Sequence, residues 1–239
     1  MFLSTEAIVF RVFPFRDSSY ILKAFTEEYG LKSFIIRGSK KSKGNMRSKT
    51  QALNIVQVQW QERSQNELSY ASSIDLKEPF KAISRDVERS SIVLFLSEIL
   101  YKSIREEMQN RSLYHYIKNA LLYLDVTEEY SNFHIAFLLK LTKYFGFIPL
   151  MDQKGKTDFF DMQEGSVFNE RPDHEYYFSP ENTELLNSFS GMNFADSESI
   201  KMTREKRNAF LDDIINYYRY HIDGMDEVKG HEVLQTVFS

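Results

Sequence analysis

The feature that most constrains the fold of this chain is a change of period at Pro79. Before it come five short runs of β-forming residues: Thr5–Phe15, Tyr20–Thr26, Leu31–Arg37, Leu53–Gln61 and Leu68–Leu76. Turn-like breaks separate the first three, Arg16-Asp17-Ser18-Ser19 and then Glu27-Glu28-Tyr29-Gly30. Pro14 falls near the end of the first run, where a missing backbone donor is tolerated. The fourth run alternates most clearly, with Val56, Val58 and Trp60 on one side and Gln57, Gln59 and Gln61 on the other. That is a strand with one buried and one polar face. The fifth alternates through Leu68, Tyr70, Ser72, Ile74 and Leu76. Five short strands in this length fit a small closed barrel, for which the five-stranded OB-fold is the expected form. An SH3-like barrel gives much the same pattern.

After Pro79 apolar residues recur at helical spacing. Ser84 can cap a helix running to about Glu107, with Val87, Phe95 and Ile99 inward. Leu113, Tyr116, Ile117, Ala120, Leu121 and Leu124 mark a second helix. Ser131 can cap a third, carrying Phe133, Phe137, Leu141, Tyr144 and Phe145 on one stripe, with Gly146 near its end. The simplest packing for these three is an antiparallel bundle. The helical signal then fails between Met151 and Pro180. There Asp158–Met162 and Ser166–Asn169, joined through Glu164-Gly165, read as a hairpin to which Tyr176-Tyr177-Phe178 can add a strand. Helices follow over Pro180–Phe189 and Thr203–Ile222, and Val233, Leu234, Val237 and Phe238 suggest a docked tail. The fold class is therefore α+β. An amino-terminal five-stranded OB-fold barrel, residues 1–79, precedes a mainly helical domain, residues 80–239, with a small β-hairpin insertion at about 151–180.

Charge divides along the same boundary. Residues 1–80 hold 12 Lys and Arg against 8 Asp and Glu, a balance of +4, while the remainder holds 18 against 26, a balance of −8. The concentration lies between Glu28 and Glu62, a stretch without one Asp or Glu that contains Lys32, Arg37, Lys40, Lys41, Lys43, Arg47 and Lys49. Its centre, residues 38–50, adds Gly38, Gly44, Asn45 and four Ser/Thr, the composition of a mobile loop. Two readings fit. In one, Arg37, Lys40, Lys41, Lys43, Arg47 and Lys49 meet a phosphate backbone; in the other they are a solvated hairpin. Trp60, Phe34 and Tyr29 are the available aromatics for base stacking, and each equally suits a barrel core or rim.

No catalytic constellation emerges. Gly155-Lys156-Thr157 looks like the end of a P-loop, but Leu150 stands where the essential glycine belongs. His231-Glu232 opens a zinc-protease pattern that Gln235 breaks. His221 follows the apolar side of the last long helix, as a core histidine does. With five scattered histidines and no cysteine, no metal site can be drawn and disulfides are excluded. Asp158 and Asp161 can be imagined as a metal-dependent nuclease pair, the enzyme alternative, although a turn-exposed pair is commoner. A protein-only adaptor is the other alternative. No apolar run approaches the roughly 20 residues that span a bilayer, and no signal-peptide pattern opens the chain, so the cytoplasm is the expected location.

Several phrases in order resemble the bacterial recombination mediator family RecO. They are Thr5-Glu6-Ala7-Ile8-Val9, then Phe15-Arg16-Asp17-Ser18-Ser19-Tyr20-Ile21-Leu22, Phe25-Thr26 with Tyr29-Gly30, and Arg37-Gly38 followed by Lys40-Lys41-Ser42-Lys43. Tyr144-Phe145-Gly146-Phe147-Ile148-Pro149 continues the likeness where helices give way to the hairpin. The resemblance implies an OB-fold and a helical domain with a zinc-ribbon-like insertion. It also implies binding of single- and double-stranded DNA, annealing of complementary strands, and work with RecR in loading recombinase onto strands coated by single-strand-binding protein. The absence of cysteine from Met151–Pro180 departs from members that hold zinc there. No cofactor or metal is therefore expected, and the hairpin should rest on Phe159, Phe160, Val167, Phe168 and Tyr177. Lys102 with Arg105, or Lys140 with Lys143, could receive the acidic, aromatic-ended tail of single-strand-binding protein; each pair also suits a solvated face.

Overall fold

The β-type runs form five strands: β1 (Phe2–Phe15), β2 (Ser19–Thr26), β3 (Gly30–Arg37), β4 (Ile55–Gln61) and β5 (Ser69–Glu78). The structure is a computed structural model that describes residues 2–16, 19–37, 43–61, 68–105, 109–151 and 158–238, with side chains for all but 43–45 and 227. The strands close into a barrel in the order β1-β2-β3-β5-β4, with β4 returning to β1. All neighbours are antiparallel except β3 and β5. This is the expected OB-fold barrel. The β2–β3 turn shows why the sequence bends there. Thr26 Oγ1 accepts from Tyr29 N and donates to the Gly30 carbonyl, and Gly30 takes the left-handed φ of 68° that suits a residue without Cβ.

Inward-facing Ala7, Val9, Leu22, Ala24, Phe34, Ile36, Val56, Val58, Trp60 and Ile74 fill the barrel. The alternation read for β5 fails, since Ile74 alone of its five marker residues is buried. The ladder explains it for the residues before Ile74, while Leu76 pairs with buried Val56 and is itself exposed. Gln59 pairs with Ser73 but Trp60 with Ala71, so Ser72 is an extra residue, and the bulge reverses which side chains face in on either side of it.

Two helices complete the barrel's unit: α2 (Val87–Ser103) and α3 (Arg111–Val126), after the short α1 (Lys43–Lys49) between β3 and β4. The chain forms two compact units, Met1–Val126 and Thr127–Ser239, so the three helices expected as one bundle are divided between them. The reason lies on the barrel's outer face, where Ile8, Phe10 and Phe25 need cover. Phe25 packs between Phe10 and Tyr114 of α3, and Ser97 of α2 donates to the Phe10 carbonyl. Tyr114 and Lys118 both reach the Glu6 carboxylate. Asp86, not Ser84, caps α2, accepting from the amides of Glu88 and Arg89. Val87, expected inward, is 69% exposed.

The second unit begins with α4 (Phe133–Phe145), which Gly146 ends at a left-handed φ of 83°. Asn132 precedes α4 in place of the expected Ser131 cap; its amide side chain serves the Ser197 and Ile200 carbonyls instead. The insertion is a three-stranded sheet, β6 (Phe159–Asp161), β7 (Ser166–Phe168) and β8 (Tyr177–Phe178), with β6 central. Its core differs from the expectation. Phe160, Val167 and Phe178 are buried, whereas Phe168 is exposed. The helices α5 (Pro180–Phe189), α6 (Phe194–Ser197), α7 (Arg204–His221) and α8 (Gly230–Val237) follow. Tyr217 of α7 meets Phe160 and Phe178 edge-on and donates to the Phe147 carbonyl. Among the described residues no helix is long and apolar enough to cross a membrane.

Candidate nucleic-acid interface

The carboxylate-free segment runs through β3, α1 and β4 at one side of the barrel. Arg37, the last residue of β3, is held by the ladder to Ser19 while its side chain stands exposed. Its guanidinium lies 5.0 Å above the ring of Tyr70. That contact leaves the planar fork oriented but accessible, the geometry that suits a phosphate oxygen.

Residues expected as loop instead form α1 over Lys43–Lys49. The cause is Met46, which packs against the barrel core and gives a short helix an apolar anchor. Its last carbonyls are satisfied: Thr50 N and Oγ1 donate to Met46 O, and Asn54 Nδ2 donates to Ser48 O and Lys49 O. Arg47 is exposed on this helix. Lys49 is turned back, its Nζ 2.8 Å from both the Ile74 carbonyl oxygen and Asp75 Oδ1. The expectation that Lys49 is a mobile loop cation is therefore corrected. Lys40 and Lys41 lie outside the described residues, as does the side chain of Lys43, whose backbone opens α1. Among the described members of the six, the fold leaves Arg37 and Arg47 exposed.

The three aromatics singled out for stacking are core. Trp60 and Phe34 are buried with ring centroids 5.3 Å apart, and half-buried Tyr29 meets Trp60 edge-on. Sequence reasoning missed Tyr70, because the bulge at Ser72 that turns it outward leaves no mark in the alternation. It also missed Phe2, paired with Gln61 at the start of β1 and 74% exposed.

Among the described residues of the insertion, Asp161 and His174 are engaged within the fold. Asp161 Oδ1 accepts from the amides of Gln163 and Glu164, and its Oδ2 lies 3.2 Å from His174 Nε2. His174 Nδ1 accepts from Tyr176 N, so both ring nitrogens are engaged within the fold. Asp158 is buried, and among the described residues no group of three or more His, Cys, Asp or Glu side chains could hold a metal ion. A nuclease pair built from Asp158 and Asp161 finds no third ligand in that set. His221 is stacked on Phe147 at 4.8 Å with its Nε2 3.0 Å from the Met162 carbonyl oxygen, as a core histidine would be. Of the lysines considered for a protein tail, Lys140 is half-buried, and burial lowers its pKa, whereas Lys143 is exposed.

Comparison with known proteins decides the family. Residues 1–80 match the family described as Recombination protein O N terminal, and residues 84–228 match Recombination protein O C terminal. The chain belongs to the RecO family. Relatives named DNA repair protein RecO align over the whole of both chains. That of Flavobacterium psychrophilum is 35% identical over 243 residues, that of Christiangramia forsetii 32% over 240, and that of Bacteroides fragilis 32% over 241. In this RecO chain the two matched regions meet where the amides of Lys81, Ala82 and Ile83 donate to the carboxylate of Asp125, at the end of α3. The junction is thus tied to a helix that packs on the barrel.

Proposed function

We propose that this RecO-family chain is a recombination mediator in DNA repair, acting in the cytoplasm on single- and double-stranded DNA. It anneals complementary strands, and with RecR it helps load recombinase onto strands coated by single-strand-binding protein. The observation that carries the DNA-binding reading is the exposed pair Arg37 and Arg47 on a segment without a carboxylate, beside Lys40, Lys41 and Lys43 in sequence. Annealing involves no bond chemistry. It requires that phosphate charge be neutralised so two strands can approach, which arginines and lysines do without sequence preference. The RecR and single-strand-binding protein roles rest on family membership, and the net acidic remainder of the chain suits protein partners better than DNA.

The test is a salt titration of single-stranded DNA binding with the full chain, alongside a variant in which Arg37, Lys40, Lys41, Lys43 and Arg47 are all alanine. The native chain should bind with a negative slope of log affinity against log salt, about −0.7 for each phosphate contact. The variant should lose most of its affinity, its slope and its annealing while its thermal melt is unchanged. A variant that melts normally and keeps the full slope would move the DNA path elsewhere. A native chain that binds no oligonucleotide would support the protein-only adaptor.

A further inference from the structure

Arg37 forms part of the wall of a cleft that holds more than a phosphate site. Phe2 pairs with Gln61, and Trp60 with Ala71, which brings Gln61 level with Tyr70. Trp60 points into the barrel, so Phe2, Gln61 and Tyr70 form a row on the outside. Tyr70 is also one of only two β5 residues in the ladder to β3, which pairs Phe34 with Ser69 and Ile35 with Tyr70. Next to that short ladder is a cleft of about 410 Å³ whose lining includes Phe2, Arg37, Met46, Gln61, Tyr70 and Ser72. No carboxylate lines it among the described residues. A single exposed phenylalanine is ordinary. Here it shares a concave site with a second aromatic ring and with an arginine whose guanidinium is laid over that ring.

We propose that this cleft takes one unpaired nucleobase of a single strand, stacked on Phe2, while Arg37, oriented by Tyr70, holds the adjoining phosphate. The inference rests on the reading of the basic segment as a DNA surface and adds what that surface selects. The volume lies within the range of about 300–1,000 Å³ typical of small-molecule sites, room for a base with its sugar. Gln61 offers a donor and an acceptor, and Ser72, whose hydroxyl already donates to the Gln59 carbonyl, adds an acceptor. Any base edge can use these, so the site discriminates strandedness and not sequence. In a duplex each base is stacked on both faces and paired along its edge, so it cannot enter. Duplex DNA therefore meets only the cations, whereas a single strand gains a stacking contact as well.

The experiment compares three ligands on the full chain: a short oligothymidylate, an abasic strand of equal length and charge, and a duplex of equal length. Phe2→Ala should weaken oligothymidylate binding about 5- to 10-fold, the lower part of the range for loss of one base–aromatic stack. Its affinity for the abasic strand and the duplex, and its salt slope, should not change. Tyr70→Leu keeps apolar bulk but removes the platform beneath Arg37; it should reduce the preference for oligothymidylate over the abasic strand. If both variants keep that preference, or lose affinity for all three ligands equally, the cleft holds no base. Failure of the native chain to bind any of the three would instead overturn the DNA-binding reading on which the cleft depends.

Discussion

Lys49 Nζ lies 2.8 Å from Asp75 Oδ1, and this pairing makes a brace of a residue that its sequence context marks as a ligand contact. The bond ties the end of α1 to β5, reinforced by the contact with the Ile74 carbonyl oxygen. Lys49→Ala should therefore lower stability by about 1 kcal/mol, the scale of a partly exposed ion pair with one further hydrogen bond. Urea midpoints for Lys49→Ala, Asp75→Ala and the double variant should show coupling. Arg37→Ala should do the reverse, leaving the midpoint in place and removing about 0.7 from the single-strand salt slope. A loss of slope in Lys49→Ala equal to that in Arg37→Ala would contradict the assignment.

The barrel should not survive alone when cut after Pro79. That cut uncovers Ile8, Phe10 and Phe25 together and strips Glu6 of Tyr114 and Lys118. A fragment ending at Val126 should unfold cooperatively in urea, and one ending at Pro79 should not. Tyr114→Phe in the full chain should cost about 1–2 kcal/mol, because it removes a hydrogen bond to a charged acceptor. A cooperative transition in the shorter fragment would refute this account of the boundary.

Stability should fall in mild acid through His134. Burial, and then the charge of Arg207, hold this imidazole down at about 3, far below the ordinary 6.5. The unfolded chain takes up a proton below 6.5 and the folded chain does not until about 3. The contribution is therefore complete above the unfolded value and lost as the pH falls from 6.5 towards 3, at up to about 1.4 kcal/mol per pH unit. Glu198, whose pKa is raised chiefly by burial, works in the opposite sense at the acid end. The informative quantity is thus the difference between the native chain and His134→Leu, followed by urea midpoint across this range. Parallel pH profiles for the two proteins would exclude the mechanism.

Chelation should leave the insertion untouched. The purified chain should carry no stoichiometric zinc by elemental analysis, and its melting temperature should be the same with and without a chelator. Asp161→Ala should lower it, because that carboxylate receives two backbone amides and faces His174. Zinc released only on unfolding would overturn the expectation.

The barrel was legible because its strands are short and amphipathic, and Val56, Val58 and Trp60 show a two-residue period that local sequence displays directly. Gly146 and Pro180 likewise mark helix ends by their own backbone chemistry. What escaped depends on partners distant in sequence. Glu6 meets Tyr114 across 108 positions, and no window along the chain contains both. The bulge at Ser72 is a property of two strands together, so Tyr70 could not be turned outward from β5 alone. In the candidate interface the cations were legible by composition. Which of them stay available was not, because Met46 and Asp75 decide it through packing and pairing.

The insertion's way of holding itself has a consequence for the conditions in which such a protein works. Peroxides attack thiolates first, and a zinc knuckle ligated by cysteine loses its metal as its sulfurs climb to sulfenic and higher acids. Here the insertion is held by Phe160, Phe178 and Tyr217 and by the Asp161–His174 contact, none of them a thiol. Met162, a sulfur next to this contact in sequence, is itself buried. Oxidative stress, which breaks DNA, leaves this part of the fold without a thiolate to attack.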